Sequence, residues 1–356
     1  MNLTLEQDAV AEAIRIITRL APPVSGNITI ESDGSKCFMH ANGETSKCSI
    51  NIPATVSGKA TTFALPLATF KDATKGRKTL NVVFEKTLCK ISSGNYKCEL
   101  ATVDAIELDH TDEEKSKPIK LTVEQSAWLK SAVATVALKP TALLSTFMPC
   151  SIKLTEKGAF VACYDVNHMA FINSNEIKGD METKLPLDIL SAVLDAFGKA
   201  TFKLELSKAN LYVSNALVKV VLSLPQEEEN DLKIEEVLEA AKGSKAAKGQ
   251  EIEINKAELV TFLDNARAVA TKERSEVKFE TDKGKIKIEV NTAHGSTKAI
   301  LKASSTAQSK ALIDFEFLDE AVRKSGDSVV VKLVKDEFMS FKLKTGNVVV
   351  SLNQES

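Results

Sequence analysis

The sequence changes from an amphipathic helix to an alternating strand three times, at nearly equal intervals. The segment LPLDILSAVLDAFGKATFKLEL, which begins at Leu185, makes this change, and similar segments begin near Leu65 and Leu312. After each helix, about three strands with period-2 alternation are predicted, separated by short polar turns. These runs of strands begin at Thr79, Thr201 and Ser328. A glycine follows each helix, where it suits a left-handed C-cap: Gly76, Gly198 and Gly326.

A second kind of helix precedes each of these segments. It occurs in the stretches LTLEQDAVAEAIRIITRLA, LTVEQSAWLKSAVATVAL and INKAELVTFLDNARAVA, each of which begins with a few extended residues. In the first stretch the apolar residues follow i, i+3, i+4, i+7 spacing, which predicts a helix of about three turns. Alternating strands follow in all three cases. The repeated unit is therefore a helix plus an antiparallel sheet.

Two such units per domain and three domains per chain account for the whole sequence. We predict an α+β fold of three pseudo-repeated domains, each with two helices backed by antiparallel sheets. Polar segments place the domains at residues 1–112, 118–228 and 251–356, with a linker at 229–250 in which LKIEEVLEAA can form an extra surface helix. Threefold repetition with twofold nesting favours a ring or another radial assembly.

Composition excludes several classes of protein. The 356 residues carry a formal net charge of -2, the N-terminus lacks the apolar core of a signal peptide, and no apolar run reaches membrane-span length. The six cysteines are scattered without CxxC spacing, so reduced cysteines on strands are expected. His40, His110, His168 and His294 are too far apart in sequence to suggest a zinc site. These features indicate a soluble, intracellular protein.

Local patterns within the repeats resemble a known family. LPLATF…LCKISSGNYKCELATV, LTVEQSAWLKSAV…CYDVNHMAF and ARAVATKERSEVKFE are similar to the bacterial β-type DNA sliding clamp, the beta-subunit-like processivity factor of DNA polymerase III, and the resemblance covers the whole chain. It implies a head-to-tail homodimer ring of six similar domains, with helices lining a central hole. Such a ring encircles double-stranded DNA and tethers a polymerase, and it performs no covalent chemistry.

The resemblance implies that basic residues on the helices line the channel. A sliding ring needs weak, sequence-independent phosphate contacts. Each predicted helix carries or adjoins at least one basic residue, although such residues can also be merely solvated, and Asp8, Glu12, Asp195, Asp264 and Asp319 dilute the positive charge. The predicted channel residues are Arg15, Arg19, Lys71, Lys75, Lys78, Lys130, Lys139, Lys199, Lys203, Arg267, Lys272, Arg274, Arg323 and Lys324.

The resemblance also implies a cleft that receives short peptides from the polymerase and the clamp loader. The family has Gly-His-Arg-Leu where this chain has Val166-Asn167-His168-Met169, and its Met-Pro-Met-Arg-Leu ending is replaced too. A cleft without that glycine, arginine and proline is expected to bind a different peptide, which suits a divergent, phage-encoded clamp. The alternative for Met169 and Leu352 is ordinary core packing. The predicted cleft residues are Met148, Tyr164, Val166, Asn167, His168, Met169, Val350, Ser351 and Leu352.

By the same resemblance, the edge of the first domain joins the edge of the third in the partner subunit. Matching position places Ile106 and Leu108 opposite Ala268 and Val269. Edge-to-edge closure would hide strand edges that otherwise invite aggregation.

Two other classes of function are weighed against a clamp. An enzyme is disfavoured because the sequence has no nucleophile with a base, no Gly-rich phosphate loop and no metal-ligand spacing. GSKAAKG, from Gly243, lacks a preceding strand, and Cys163 lies on a predicted strand rather than at a helix N-terminus. We therefore predict no enzymatic activity and no cofactor. The other alternative is a non-encircling adaptor built from clamp-like domains, which would keep the repeats and lose ring closure.

Overall fold

In a computed structural model of the chain, the described residues are 1–105, 114–138, 148–165, 167–197, 200–225, 234–270, 275–305, 308–335, 337–343 and 346–352. They form seven helices and twenty-five strands, which pair in antiparallel ladders. The predicted α+β class is thus confirmed. Within this part of the chain, no helix has the length and apolar character needed to cross a bilayer. The chain divides into two compact units, Met1–Lys130 with Ile189–Pro225 and Ser131–Asp188 with Gln226–Ser356.

The first unit contains two sheets. The smaller has five strands, in the spatial order β5 (Ala54–Ser57), β1 (Asn2–Glu6), β7 (Thr79–Glu85), β8 (Leu88–Ser93) and β9 (Tyr96–Ala101). The first eight-stranded sheet has the order β10 (Ile119–Leu121), β15 (Phe202–Leu206), β16 (Asn210–Ser214), β17 (Val218–Ser223), β4 (Ser46–Ile52), β3 (Cys37–Asn42), β2 (Asn27–Ser32) and β6 (Thr61–Pro66).

The second unit also contains two sheets. The second eight-stranded sheet has the order β14 (Met181–Pro186), β11 (Pro149–Thr155), β12 (Gly158–Tyr164), β13 (His168–Ser174), β25 (Gly346–Ser351), β24 (Phe338–Lys342), β23 (Ser328–Val334) and β18 (Gln250–Asn255). The four-stranded sheet has the order β21 (Gly295–Lys302), β20 (Lys285–Thr292), β19 (Glu276–Asp282) and β22 (Ser309–Asp314).

Six helices lie where the repeats predict them, and a seventh lies in the predicted linker. They are α1 (Gln7–Leu20), α2 (Leu67–Thr74), α3 (Val123–Val136), α4 (Leu187–Phe197), α5 (Ile234–Ala246), α6 (Lys256–Ala266) and α7 (Phe315–Lys324). The three helix-to-strand changes in the sequence correspond to α2–β7, α4–β15 and α7–β23.

Strand pairing joins segments that are distant in sequence. The middle predicted domain gives β10 and β15–β17 to the first unit and β11–β14 to the second. In the first eight-stranded sheet the junction is β17 with β4, and in the second it is β13 with β25. The two compact units follow the sheets, whereas the repeats divide the chain along its sequence. The division into three domains therefore stays a prediction.

Local sequence explains where the helices begin and which face they bury. The apolar stripe of α1, which includes Val10, Ala13 and Ile17, is buried. The side chains of Asn255 and Asp314 cap α6 and α7 by accepting hydrogen bonds from backbone amides of the first turn. Such caps satisfy amides that have no partner within the helix.

Of the three predicted glycine caps, the one at Gly76 has the expected conformation. Gly76 follows α2 with φ +73°, the left-handed conformation expected of it. Gly326 does not adopt a positive φ, because Ser325 ends α7 in an extended conformation and its amide donates to the carbonyl groups of Ala321 and Val322. Gly198 lies outside the described residues.

All six cysteines are unpaired and lie on strands, as predicted. Burial raises the pKa of the Cys163 thiol to about 12, and the same holds for Cys37, Cys48 and Cys89. A thiol that stays protonated at neutral pH is a poor nucleophile. These side chains therefore act as small core residues.

Candidate functional site

The exposed side of α1 and α2 brings three of the predicted channel residues together. Arg15 and Arg19 lie one turn apart on α1, outside its buried stripe, and Lys71 lies on α2, which packs against α1. Their side chains line a shallow concavity of about 380 Å³ together with Ala11, Ile14 and Thr18. Cationic groups around an open concavity can contact a phosphate without reading a base.

Carboxylates pair with both of these arginines. Arg15 donates to Glu12 through Nη2 at 2.6 Å and through Nε at 2.7 Å, and this hydrogen bond lowers the pKa of the Glu12 carboxyl. Asp195 on α4 accepts from Arg19 and from Lys130, whose Nζ is 2.9 Å away. A hydrogen bond from Lys130 lowers the pKa of the Asp195 carboxyl most, and the hydrogen bond from Arg19 lowers it further. The positive charge of α1 is thus partly neutralised within the unit.

Lys71, Lys75 and Lys78 are exposed, at or just beyond the end of α2. Among the described residues, no ion pair involves any of the three. Arg77 lies between Lys75 and Lys78 in sequence, and its guanidinium carbon is 3.5 Å from the centroid of the Tyr96 ring. Sequence reasoning did not select Arg77, although the run Lys75-Gly76-Arg77-Lys78 was a visible signal.

Just after α6 and on α7, two predicted channel arginines share a buried carboxylate. The Asp319 side chain is 3% exposed and accepts from Arg267 and from Nε of Arg323 at 2.9 Å. Arg323 also donates through Nη2 to Asp264 at 2.6 Å. The hydrogen bonds to Asp319 raise the pKa of Arg323 most, and the hydrogen bond to Asp264 raises it further above its already high ordinary value. These arginines are brought together, but their charge is balanced locally.

The other channel predictions have different surroundings. Nζ of Lys324 donates to the backbone carbonyl of Thr135 at 3.2 Å, and burial lowers the pKa of Lys324. Lys203 lies on β15 between the buried residues Phe202 and Leu204, so it is on the exposed face of a sheet rather than on a helix. Four predicted residues lie outside the described part of the chain: Lys139, Lys199, Lys272 and Arg274.

The register of β12, β13 and β25 divides the predicted cleft residues between two faces of one sheet. Tyr164 pairs with Met169, which pairs with Val349, whereas His168 pairs with Val350. Cross-strand partners share a face, and successive residues along a strand alternate between faces. Tyr164 and Met169 therefore lie on one face, and His168 and Val350 lie on the other.

Helix α5 covers the face that carries Tyr164 and Met169. Val237 and Ala241, one turn apart on α5, are buried in the same apolar cluster, and Leu238 is partly buried against it. The cluster is completed by three further residues of the sheet: Phe160, Ala162 and Phe171. Sequence reasoning missed these contacts, although period-2 alternation already put Phe160, Ala162 and Tyr164 on one face of β12.

The opposite face packs against α7. The His168 ring stacks on Phe317, with ring centroids 4.2 Å apart, and Nδ1 of His168 is 2.8 Å from Oδ1 of Asp165. Burial raises the pKa of Asp165, but hydrogen bonds from the His168 ring and from the amides of Asn167 and His168 outweigh it and keep the pKa below its ordinary value. His168 is thus a buried, hydrogen-bonded core residue.

The remaining cleft predictions lie near the ends of these strands. Met148 is buried, and its carbonyl accepts from the amide of Leu187 at 2.9 Å. The amide of Ser351 donates to the carbonyl of Asn167 at 2.9 Å. Ser351 is exposed, Asn167 and Leu352 are half-buried, and Val166 lies outside the described residues.

Two of the four predicted subunit contacts fall in the described residues. Ala268 is exposed just beyond α6, and Val269 is half-buried, with its carbonyl accepting from Oγ1 of Thr292 at 2.8 Å. Ile106 and Leu108 lie outside the described residues. The contact between the two pairs stays a prediction.

The fold is that of bacterial DNA polymerase III beta subunits. The chain matches the DNA polymerase III subunit beta from Pseudomonas aeruginosa with a TM-score of 0.83 and 11% identity, over 100% of both chains. It matches the DNA polymerase sliding clamp from Bacillus subtilis with a TM-score of 0.81 and 14% identity, and the beta subunit from Streptococcus pyogenes with the same values, again over 100% of each chain. No protein-family model matches the chain, and no curated protein matches its sequence.

Proposed function

We propose that this chain is a DNA sliding clamp, which encircles duplex DNA as a head-to-tail homodimer and tethers a replicative polymerase. The observation that carries the proposal is the match of the whole chain to structures described as sliding clamps and polymerase beta subunits. Because sequence identity is low, the fold alone cannot supply the function. The charges on the helices and the free strand edges are the independent support.

Weak phosphate contact follows from the charges on the helices. All four predicted channel arginines within the described residues already bind carboxylates, so a phosphate has to compete with Glu12, Asp195 or Asp319. The lysines at α2 are exposed and can meet a phosphate as mobile point charges. A few such contacts give sequence-independent affinity that falls steeply with salt, which suits a ring that must move along DNA.

Internal repetition identifies the strand edges that would close the ring. β17 and β25 are each the last strand of a three-strand run, and they pair with β4 and β13. β9 has the same place in its run as β17 and β25, and it lies at the edge of the five-stranded sheet. β21 has the same place in the other half-repeat as β4 and β13, and it lies at the edge of the four-stranded sheet. Pairing β9 of one subunit with β21 of the next would complete a third continuous sheet.

The burial of these edge strands fits a missing neighbour. In β17, at a junction, Val218, Val220 and Leu222 are all buried. In β9 two of the corresponding alternate positions, Tyr96 and Cys98, are only half-buried, and the third, Leu100, is buried. In β21 the alternate positions Thr297 and Ala299 are likewise half-buried and Leu301 is buried, while on the other face Ile300 is 70% exposed. A partner strand would cover these positions and pair with the outer edges of both strands.

A non-encircling adaptor with this fold is the second candidate, and the balanced charge of Arg267 and Arg323 is the observation that favours it. The solution mass separates the two candidates. Sedimentation equilibrium at micromolar concentration is expected to give twice the chain mass of 38.6 kDa. A mass that stays at one chain across the concentration range would favour the adaptor.

A further inference from the structure

Helix α5 is held on the second eight-stranded sheet by few contacts. Among the side chains of α5 whose burial is described, Val237 and Ala241 are the buried apolar ones, and Leu238 is partly buried against the same cluster. Near its start, Nζ of Lys153 on β11 donates to Oε1 of Glu235 at 2.6 Å. Near its end, Nζ of Lys332 on β23 donates to the carbonyl of Lys245 at 2.9 Å. Nζ of Lys245 also lies 5.1 Å from the centroid of the Phe171 ring. The described attachment is therefore narrow: three apolar side chains in the middle of the helix and lysine contacts at its two ends.

On its own, α5 would form at most a marginal helix, because it is short. The helix has 13 residues, a length at which isolated helices are marginal in water. Gly243 lies within its last turns, where glycine opposes helix formation relative to alanine. The helical conformation of α5 therefore depends on its contact with the sheet, and detachment and unwinding are coupled.

The face beneath α5 is richer in large apolar groups than the helix that covers it. Phe160 and Phe171 stack with centroids 6.2 Å apart, and Tyr164 and Met169 lie beside them. Val237 and Ala241 are small by comparison. A segment with larger side chains could therefore bury more apolar area on the same face, and the free energy gained on burial scales with that area.

We propose that α5 occupies, in cis, the surface on which a partner segment docks, and that the partner binds by displacing α5. This inference rests on the proposed function, since the displaced surface includes Tyr164 and Met169 of the predicted cleft. The chemistry of α5 defines the partner: a short amphipathic segment with apolar residues one turn apart and an acidic residue positioned to pair with Lys153, as Glu235 does. Its apparent affinity equals its affinity for the uncovered face multiplied by the fraction of chains in which α5 is detached.

The test uses the full-length chain labelled with 13C at its methionine methyl groups. The Val237→Asp/Ala241→Asp variant should detach α5, and the Met169 methyl signal should shift as its cover leaves. A matched control, Glu239→Gln/Lys242→Gln, removes the exposed ion pair on the same helix and should leave the Met169 signal unchanged. Met339, buried on the other face of the same sheet, reports whether the unit stays folded.

A synthetic peptide with the sequence of residues 234–246 then serves as the probe. Its titration should move the Met169 signal with a midpoint at least about tenfold lower in the detached variant than in the unaltered chain, because no cis competitor remains. Equal midpoints, or a Met169 signal that is the same with and without the two aspartates, would overturn the proposal.

If the Met339 signal shows that the double variant unfolds, a charge exchange replaces it. Lys153→Glu should shift the Met169 signal, and adding Glu235→Lys should restore it. Failure of the second substitution to restore the signal would count against docking of α5 as described. These readouts use neither DNA nor a dimer, so they stand apart from failure of the encircling function.

Discussion

The buried carboxylate of Asp319 is bound by the guanidinium of Arg323, whose Nε lies 2.9 Å from Oδ1. The same carboxylate binds Arg267, so two arginines depend on one acidic group. Asp319→Asn keeps the volume and removes the charge. We expect it to lower the free energy of unfolding by about 2 kcal/mol, because hydrogen bonds to a charged group within the protein are removed. The substitution releases Arg267 and leaves Arg323 with Asp264 as its carboxylate partner, so binding to duplex DNA at low salt should also strengthen.

Denaturant titration and fluorescence anisotropy with a labelled duplex check both effects. The control is Asp264→Asn, since Asp264 binds the same Arg323 but is 57% exposed in its side chain. An exposed pair of this kind contributes less than about 1 kcal/mol. Equal destabilisation by the two substitutions would contradict the role assigned to Asp319.

The exposed lysines at α2 should carry much of the contact with DNA. Reversal of charge at Lys71, Lys75 and Lys78 together should weaken DNA binding and make it less sensitive to salt. The logarithmic slope of affinity against salt should become shallower by about 0.9 for each phosphate that the variant no longer neutralises. Anisotropy across a salt series measures both quantities.

The control for this set reverses three other exposed lysines of the same unit, at Lys36, Lys47 and Lys59. Equal loss of affinity in the two triple variants would mean that only net charge matters. The assignment of the α2 lysines to the channel would then be wrong.

The contact between Asp165 and His168 should make the second unit sensitive to acid. The pKa of Asp165 is lower in the folded chain than its ordinary value. The unfolded chain therefore takes up the proton first, and the stability that this carboxylate contributes is present above its unfolded pKa and is lost as the pH falls through the folded one. Asp165→Asn should remove the part of the acid-induced loss of stability that protonation of Asp165 causes below about pH 4.

Unfolding by denaturant at several pH values, followed by hydrogen exchange of amides in β12 and β13, measures this dependence. At neutral pH the variant should be less stable by about 1–3 kcal/mol, because the amides and the imidazole lose a charged acceptor. A pH dependence identical to that of the unaltered chain would show that other carboxylates dominate.

The exposed edge of β21 should be needed for dimer formation. Ile300→Glu places a charge where the partner strand is expected, and we predict at least a tenfold weaker dimer, or about 1.4 kcal/mol. Val24→Glu is the matched control, because Val24 is also exposed, at 76%, but lies in a loop. Sedimentation velocity over a dilution series distinguishes the two, and equal dimer affinities would exclude this edge from the interface.

The fold could be predicted from sequence because its signals are local and repeated. The stripe of α1 and the alternation of β7 to β9 each specify an element without reference to the rest of the chain. Helix α5 was foreseen as an extra surface helix, but its buried face was not. Val237 and Ala241 are too few and too small to mark an apolar stripe, and the residues they touch are distant in sequence.

The candidate sites were harder to predict because they depend on non-local pairing. Arg19 and Asp195 are 176 positions apart, and no helical spacing indicates that they meet. The predicted cleft segment is divided between two faces, since the register of β13 with β25 places His168 opposite Val350. Alternation alone separates neighbouring residues, but it does not say which face is covered by α5 and which by α7.

Retention on circular DNA tests the encircling claim most directly. Dilute protein and a nicked plasmid would be mixed and concentrated together so that rings can close around the DNA, and complexes would be isolated by gel filtration at a salt concentration that abolishes simple binding. A topological link predicts that the protein stays with the circle and is released when a restriction enzyme makes it linear. Protein that is absent from the circle, or that remains equally on both forms, would contradict a sliding clamp.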